Sequence, residues 1–150
     1  MSMKRSENPA NFFTEKEKNE IIGAIREAEK QTSGEIRLHL ERKSKGNIFD
    51  QAVKTFRKIG MDQTAQRNGV LIYFATSDHQ FVILGDEGIH EVVPENFWKD
   101  IADLMADKFK QNKFSEGLRE GITRIGEKLK SHFPFQEDDV NELSDDISVN

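Results

Sequence analysis

The sequence predicts an α/β fold: a small mixed β-sheet flanked by helices on both faces, an α/β/α sandwich with the element order α-β-α-β-β-α-α. Three observations predict this class. One segment alternates apolar and polar residues, as a strand with one buried face does. Two short runs are continuously apolar, as buried strands are, and the longer segments between and around them repeat apolar residues at helical spacing.

The first helix is predicted to begin after Thr14, which forms a capping box with Glu17. The segment EIRLHLE, residues 35–41, follows it and alternates cleanly between apolar and polar side chains. This pattern predicts a strand with one weakly covered face at an edge of the sheet. His39 lies on the polar side of that strand, and we interpret it as a surface histidine, like His132 near the end of the chain's last predicted helix.

A second helix is predicted between Phe49 and Gly60, where apolar residues recur at helical intervals. The runs VLIYFA (70–75) and FVIL (81–84) then predict central strands that are covered on both faces. Because a strand, a helix and a second strand in one sheet imply a right-handed crossover, the first two strands should be parallel. The polar residues between the two runs have the length of a hairpin, so the third strand should return antiparallel.

Two further helices complete the predicted core. Pro94 suits the first turn of the third helix, whose apolar stripe extends to Phe109. Ser115 is predicted to cap the fourth helix. Glycines are costly inside a helix, so we expect those of the fourth helix to permit close approach of a neighbouring element. These glycines are Gly117, Gly121 and Gly126.

The charge distribution divides the chain into two parts. One domain is predicted over residues 12–133, and an acidic tail over 134–150 holds six acids and no lysine or arginine. The formal net charge of −5 therefore belongs to the tail, and the domain is nearly neutral. We expect the tail to be solvated and disordered, because it has too few apolar residues to offset the entropy of ordering it. The alternative is a tail that docks a basic partner.

Several function classes are excluded by what the sequence lacks. There is no cysteine, so thiol nucleophiles, thiolate metal sites and disulfides are excluded. The scattered basic residues do not favour nucleic-acid binding. No glycine-rich phosphate loop or nucleophile elbow occurs, and HEVVP has Pro94 where a zinc protease needs its second histidine. Without an apolar run that could cross a bilayer or serve as a signal peptide, we expect a soluble, cytoplasmic monomer with no membrane insertion.

The predicted topology gathers oxygen-rich side chains at one end of the sheet. The starts of the first two strands and the exit of the third meet there, and the third strand leads into the acidic stretch GDEGIHE, residues 85–91. Hard cations such as calcium bind carboxylate, amide and backbone carbonyl oxygens. The predicted metal ligands are Glu35, Asn68, Asp86 and Glu87. The competing interpretation is an ordinary charged turn.

Two other residues near that end, Arg67 and Glu91, are the predicted contacts of a phosphate or another ligand. A rival location is the carboxyl end of the parallel strands, where open α/β sheets commonly bind ligands. We interpret the residues there as a polar hairpin tip and its neighbours. They are Arg42, Ser44, Ser77, Asp78 and His79.

The order of three segments resembles the TPM domain, which occurs in a thylakoid-lumen protein of photosystem II repair and in many bacterial proteins. The segments are TSGEIRLHLE, RNGVLIYFATSDHQFVILGDEGIHE and NKFSEGLREGI, and the likeness covers roughly residues 12–133. The resemblance implies an α/β sandwich with a small central sheet. It also implies divalent cation binding, calcium among the ions, near the loops at one sheet end, and for some members a proposed acid phosphatase activity.

By position, the resemblance implies roles for residues 33–35, 67–69 and 85–88. This sequence departs from the family pattern at two places, where NPANFF replaces an Asp-x-Ala-Gly-like segment and GDEG replaces a Gly-aromatic-Gly turn. Roles tied to those two segments do not carry over.

Three functions are therefore open. The first is a divalent-cation-binding module, with calcium favoured, that acts through a protein partner. The second is a structural or assembly domain without a ligand. The third is a metal-assisted phosphatase in which metal-bound water is the nucleophile, Asp86 or Glu87 is a metal ligand and Arg67 stabilises charge on the phosphoryl oxygens.

Overall fold

The computed structural model describes residues 5–136 and 147–149. Its elements, in chain order, are α1 (Glu15–Glu29), β1 (Glu35–Glu41), α2 (Ile48–Lys58), a 3-10 turn (Met61–Gln63), β2 (Gly69–Ala75), β3 (Phe81–Gly85), α3 (Glu87–His90), α4 (Lys99–Lys110), α5 (Phe114–Lys130) and β4 (Ser148–Val149). The predicted α/β class and the order of its main elements are confirmed. The short elements α3 and β4 were not predicted.

The sheet has the strand order β3-β2-β1-β4. As predicted, β1 and β2 are parallel, and β3 returns antiparallel to β2. Two details of the prediction are wrong. The edge strands are β3, of which residues 81–83 are only partly buried, and the short β4, whereas β1 lies inside the sheet because β4 pairs with His39 and Leu40. Hydrophobicity alone does not distinguish an edge strand covered by helices from a central one.

Helices cover both faces of the sheet, which confirms the predicted sandwich. On one face, the apolar side chains of β1 and β2 pack against α1, α4 and α5. On the other face, Leu71 and Tyr73 of β2 pack against α2 and against Met61 of the 3-10 turn. Successive residues of a strand point to opposite faces, so the continuously apolar β2 supplies both clusters.

The helix starts follow local chemistry at α1 but not at α5. Thr14 and Glu17 form the predicted capping box, with reciprocal hydrogen bonds of 3.0 and 3.1 Å. The predicted Ser115 cap is wrong, because α5 begins at Phe114, with Lys113 at the N-cap position, and Ser115 is buried in its first turn. The burial of Phe114 against the core decides where this helix starts.

The glycines of α5 let it pack closely between two other helices, as predicted. A Cβ atom on Gly121 would lie 2.5 Å from Met105 Sδ of α4, and one on Gly126 would lie 2.8 Å from the Cβ atom of Ala28 of α1. Both distances are shorter than van der Waals contact. The close approach of α5 to α4 and α1 therefore offsets the helix propensity that glycine loses.

The surface interpretation of His39 is wrong. His39 is only 4% exposed. Its Nδ1 atom lies 2.8 Å from Ser148 Oγ of β4, and its Nε2 atom lies 3.0 Å from Glu41 Oε1. The chain's own C-terminal segment thus lies beside β1 and contacts His39, which no periodicity in the sequence indicates.

The predicted acidic tail is described only at its two ends. Pro134 forms a bridge with Thr32, and Ser148–Val149 forms β4. Residues 137–146 lie outside the described residues, so the disordered tail and the domain boundary before residue 134 stay predictions. No helix of the described residues is long and apolar enough to span a membrane.

Candidate functional site

Three chain segments meet at one end of the sheet, where β1 and β2 begin and β3 ends. The strand register aligns Glu35 with Gly69 across the parallel pair, and Val70 with Gly85 across the antiparallel pair. Residues just beyond these pairs are therefore neighbours in space. The loop before β2 and the loop after β3 lie side by side, as the predicted topology requires.

An ion pair between Arg67 and Asp86 joins these two loops. Arg67 Nε donates to Asp86 Oδ2 at 2.8 Å, and Nη2 donates to Oδ1 at 2.9 Å. The Asp86 side chain is 4% exposed, whereas the Arg67 side chain is 41% exposed. Bidentate pairs of this kind are among the stronger hydrogen-bonded contacts in proteins. The pair is thus buried on its acidic side and open to solvent on its basic side.

More negative than positive charge surrounds this pair. Glu87 Oε2 lies 3.6 Å from Arg67 Nη1, and Asp62 is close enough to act on the same guanidinium. The hydrogen bond with Asp86 is the largest of the effects that raise the pKa of Arg67 above its ordinary value. Three carboxylates therefore face one guanidinium, which leaves a local excess of negative charge.

The Asp86 carboxylate also begins the short helix α3. Its Oδ1 atom accepts a hydrogen bond from the backbone N–H of Glu87 at 2.7 Å, as an N-cap side chain does. Ile89, inside the same helix, is fully buried and holds it against the sheet. The buried Asp86 carboxylate thus accepts hydrogen bonds from both the Arg67 guanidinium and the first backbone N–H of α3.

Close backbone contact fixes the two loops relative to each other. The N–H of Gly88 donates to the carbonyl of Arg67 at 2.9 Å, and a Cβ atom on Gly88 would lie 2.2 Å from the carbonyl oxygen of Gln66. Only glycine fits there. Arg67 itself has a φ of 51°, in the left-handed region that side chains other than glycine rarely adopt. These constraints set the direction of the Arg67 side chain towards Asp86.

A network of amides and hydroxyls lies next to the ion pair. Asn68 is 2% exposed, and its Nδ2 donates to Ser33 Oγ at 3.3 Å. Gln66 Nε2 reaches the same hydroxyl at 3.3 Å, and the Asn68 backbone N–H donates to Thr64 Oγ1. The contact between the Asn68 side chain and Ser33 uses the amide nitrogen of Asn68. A cation would bind its amide oxygen instead.

The two other acids singled out by the sequence differ in exposure. Glu35 opens β1 and is 5% exposed. Glu91 is exposed at the end of α3, where its backbone N–H donates to the carbonyl of Glu87. Side-chain contacts join Arg67 to Asp86 and Glu87, and Asn68 lies in the adjoining loop. Within residues 5–136 and 147–149, no group of three or more His, Cys, Asp or Glu side chains is arranged to hold a metal ion.

Sequence reasoning missed the partner of Arg67. The sequence predicted that Arg67 contacts a phosphate or another ligand, whereas in the folded protein its guanidinium binds Asp86. A signal was available, because the predicted topology placed a positive and a negative side chain at the same sheet end. The direction of each side chain was the missing information, and the left-handed backbone of Arg67 decides it.

The opposite end of the sheet contains a cavity of about 820 Å³ beneath the N-terminal segment. Ser77 and His79, placed by the sequence in a polar hairpin tip, lie in the turn between β2 and β3 and line this cavity. Phe114 lines it too, with its ring centroid 4.6 Å from that of His79. Aromatic rings therefore form part of the lining of this cavity.

Comparison with known proteins agrees with the fold. A family model described as the TPM domain matches residues 6–128. The NMR structure of BA42 protein from the psychrophilic bacterium Bizionia argentinensis is 44% identical, with a TM-score of 0.90 over 97% of this chain and 100% of that chain. The N-terminal domain of a P. gingivalis protein has a TM-score of 0.66 at 17% identity, over 87% of this chain and 85% of that one, and supports the fold alone. No curated protein matches the chain.

Proposed function

The chain belongs to the TPM domain family, and from this premise we propose that it is a cation-binding module that takes up a divalent ion beside Asp86 and acts through a protein partner. The observation that carries the proposal is the charge balance around Arg67. One guanidinium faces the carboxylates of Asp62, Asp86 and Glu87. A doubly charged ion would neutralise the negative charge that a single guanidinium leaves uncompensated.

These residues fit a divalent ion that replaces the Arg67 guanidinium at Asp86, a step that we call exchange. Both oxygens of Asp86 accept hydrogen bonds from Arg67, and a cation beside the guanidinium would be repelled by it, so we infer that an ion that binds this carboxylate displaces the guanidinium. The Arg67 side chain is 41% exposed and can turn into solvent. Glu87, with a side chain that is 76% exposed, is free to turn towards the ion that replaces it.

The neighbouring oxygen atoms favour calcium over magnesium. Besides the two carboxylates, this end of the sheet offers the Asn68 amide, the Glu35 carboxylate and the backbone carbonyls of Gln66 and Arg67. Calcium takes roughly six to eight oxygen ligands, including carbonyls and water, in irregular geometry. Magnesium requires a near-ideal octahedron and loses its water reluctantly. An irregular set of oxygens from three loops therefore suits calcium better.

Exchange would also make the bound state recognisable to a protein partner. When the ion occupies Asp86, the Arg67 guanidinium would be released at the surface and the ion would offset two of the three carboxylate charges. The surface would then change from an internal ion pair to an exposed arginine beside a less negative loop. Arginine is well suited to pair with a carboxylate of another protein, because its planar fork binds both oxygens.

A calcium and magnesium titration of the metal-free protein, followed through backbone amide shifts, tests the proposal. We expect saturable shifts confined to Asn68 and residues 86–91, with calcium binding more tightly than magnesium. Glu87→Gln should weaken the affinity. Asp107→Asn is the matched control, because Asp107 is an exposed acid on α4 that lies away from the proposed site. Its neighbour in sequence, Phe109, contacts Phe81 at the opposite end of β3. Shifts that grow linearly with salt at exposed acids everywhere would overturn the site.

The same preparation separates cation binding from phosphatase activity. In the metal-assisted phosphatase considered above, a guanidinium would stabilise the phosphoryl oxygens and a metal-bound water would be the nucleophile. Arg67 would become available for that role only after exchange. We therefore propose to assay p-nitrophenyl phosphate with calcium and magnesium present. If the protein turns over this substrate and Arg67→Gln abolishes the turnover, the function is that of a phosphatase. Cation binding without turnover supports the binding module.

A further inference from the structure

A second charged surface lies at the far end of β1, away from the Arg67–Asp86 pair. A pocket of about 300 Å³ opens there between the end of β1, α2 and β4. Four lysines line it, and we call it the lysine pocket: Lys43, Lys45, Lys54 and Lys58. All four are exposed, and Glu41 is the one acid among the described residues that line the pocket. Four lysines and one carboxylate give the lining a net positive charge.

The outer edge of β1 beside this pocket already accepts an extended segment. Ser148 and Val149 pair with His39 and Leu40 in a parallel register. Both residues of β4 also line the lysine pocket, and Val149 is 48% exposed. A two-residue strand offers few backbone hydrogen bonds, so its hold on the edge of β1 is weak.

His39 provides a specific contact for a segment in this position. Burial lowers the pKa of His39 below its ordinary value, so its ring is neutral at pH 7. The carboxylate of Glu41 only accepts hydrogen bonds, so the proton lies on Nε2 and Nδ1 accepts from the Ser148 hydroxyl at 2.8 Å. The edge thus recognises a hydroxyl as well as an extended backbone.

The sequence that leads into β4 has the charge that the pocket lacks. Residues 137–146 hold six acids and no lysine or arginine. The occupant of this edge is therefore the end of an acidic segment, and the lysines that line the adjacent pocket have the opposite charge. Complementary charge of this kind guides association and selects among partners.

We propose that the outer edge of β1 and the lysine pocket form a docking surface for an extended, acidic peptide segment of a protein partner, which adds to the sheet in the position that β4 occupies. The chain's own C-terminal segment is then a weak intramolecular occupant that such a peptide displaces. In strand addition, backbone hydrogen bonds supply affinity and flanking side chains supply specificity. Here the lysines supply the specificity.

A labelled peptide with the sequence of residues 137–149 is the probe, and binding to the full chain is measured by fluorescence anisotropy at low ionic strength. The control peptide carries Asn and Gln in place of its six acids. We expect the acidic peptide to bind at least about tenfold more tightly than the control, and we expect its affinity to fall with added salt. Equal affinity for the two peptides would overturn the role of charge.

Two variants locate the surface. The double substitution Lys54→Glu with Lys58→Glu should lower the affinity for the acidic peptide at least about tenfold. Lys110→Glu with Lys130→Glu is its matched control, because both are exposed lysines that do not line the pocket. Equal weakening by both pairs would show nonspecific attraction and would overturn the site.

A third variant removes the intramolecular competitor. Ser148→Pro eliminates a backbone donor and the hydroxyl that contacts His39, so the acidic peptide should bind this variant more tightly than the parent chain. Amide shifts of His39 and Leu40 should accompany binding. Absence of binding to the parent chain and to Ser148→Pro overturns the proposal. Shifts of these amides with inorganic pyrophosphate but not with the peptide would identify a small-anion site and also overturn it.

Discussion

Two arginine–carboxylate pairs in this protein have nearly the same geometry and different surroundings. Arg67 binds Asp86 through two hydrogen bonds of 2.8 and 2.9 Å, and Arg5 binds Glu17 through two of 2.7 and 2.6 Å. In the first pair the acid is 4% and the arginine 41% exposed. In the second the exposed fractions are 20% and 28%. Burial is thus unequal within one pair and shared in the other.

The neighbours of each guanidinium account for the difference. Arg5 lies 5.4 Å from the ring of Phe12 and 5.7 Å from that of Phe114, and it also donates to the Phe12 carbonyl. Arg67 has carboxylates around it instead. Cation–π contacts and a backbone acceptor hold Arg5 independently of its acid. Arg67 depends on its carboxylates, so we expect a competing cation to displace Arg67 and to leave Arg5 in place.

The largest expected effect is on folding stability at the first pair. Asp86→Ala removes the cap of α3 and the partner of Arg67 together, so we expect a loss of about 2 to 3 kcal/mol in the free energy of unfolding. Asp86→Asn keeps a capping oxygen and should lose less. Urea unfolding measures both. If Asp86→Ala were as stable as the parent protein, the buried carboxylate would not be the anchor of this end.

The next effect tests exchange directly. Arg67→Gln removes the resident cation from Asp86, so the calcium affinity should rise about tenfold, equivalent to about 1.4 kcal/mol. Arg5→Gln is the matched control and should leave calcium affinity unchanged. Isothermal titration calorimetry of the two variants gives the comparison. An unchanged affinity in Arg67→Gln would mean that the ion and the guanidinium do not compete.

A smaller effect is expected at the second pair. Glu17→Gln keeps a side-chain oxygen for the backbone N–H of Thr14 but loses the charge that binds Arg5. We expect about 0.5 to 1 kcal/mol of destabilisation, since partly exposed ion pairs contribute little. A double-mutant cycle with Arg5→Gln isolates the pair. A coupling energy larger than the effect of Asp86→Ala would reverse the ranking of the two pairs.

The smallest effect is the pH dependence of that second pair. The hydrogen bond from Arg5 is the first cause that lowers the pKa of Glu17 below 4.5. A carboxyl with a lowered pKa in the folded state stabilises the protein above pH 4.5, and the contribution is lost as the pH falls through the folded-state value. Urea unfolding from pH 7 to pH 3 should therefore show the parent and Glu17→Gln converging at low pH. A constant difference would exclude the charge as its cause.

Much of the fold was determined by the sequence alone. Helical spacing located α1, α2, α4 and α5, and the alternating and apolar runs located β1, β2 and β3, because these periodicities record which side chains each element buries. The chain order of strand, helix, strand and hairpin then fixed the parallel and antiparallel pairs. The same rules placed the loops before β2 and after β3 at one sheet end.

Tertiary structure decided the rest, because it depends on contacts between residues distant in sequence. A two-residue strand such as β4 has no periodicity, yet it moves β1 from the edge into the sheet and buries His39. The pairing of Arg67 with Asp86 depends on a left-handed residue and on a glycine packed against a carbonyl, neither of which an apolar pattern reports. The sequence thus determined which segments meet, and only the folded chain decided which side chains bind each other there.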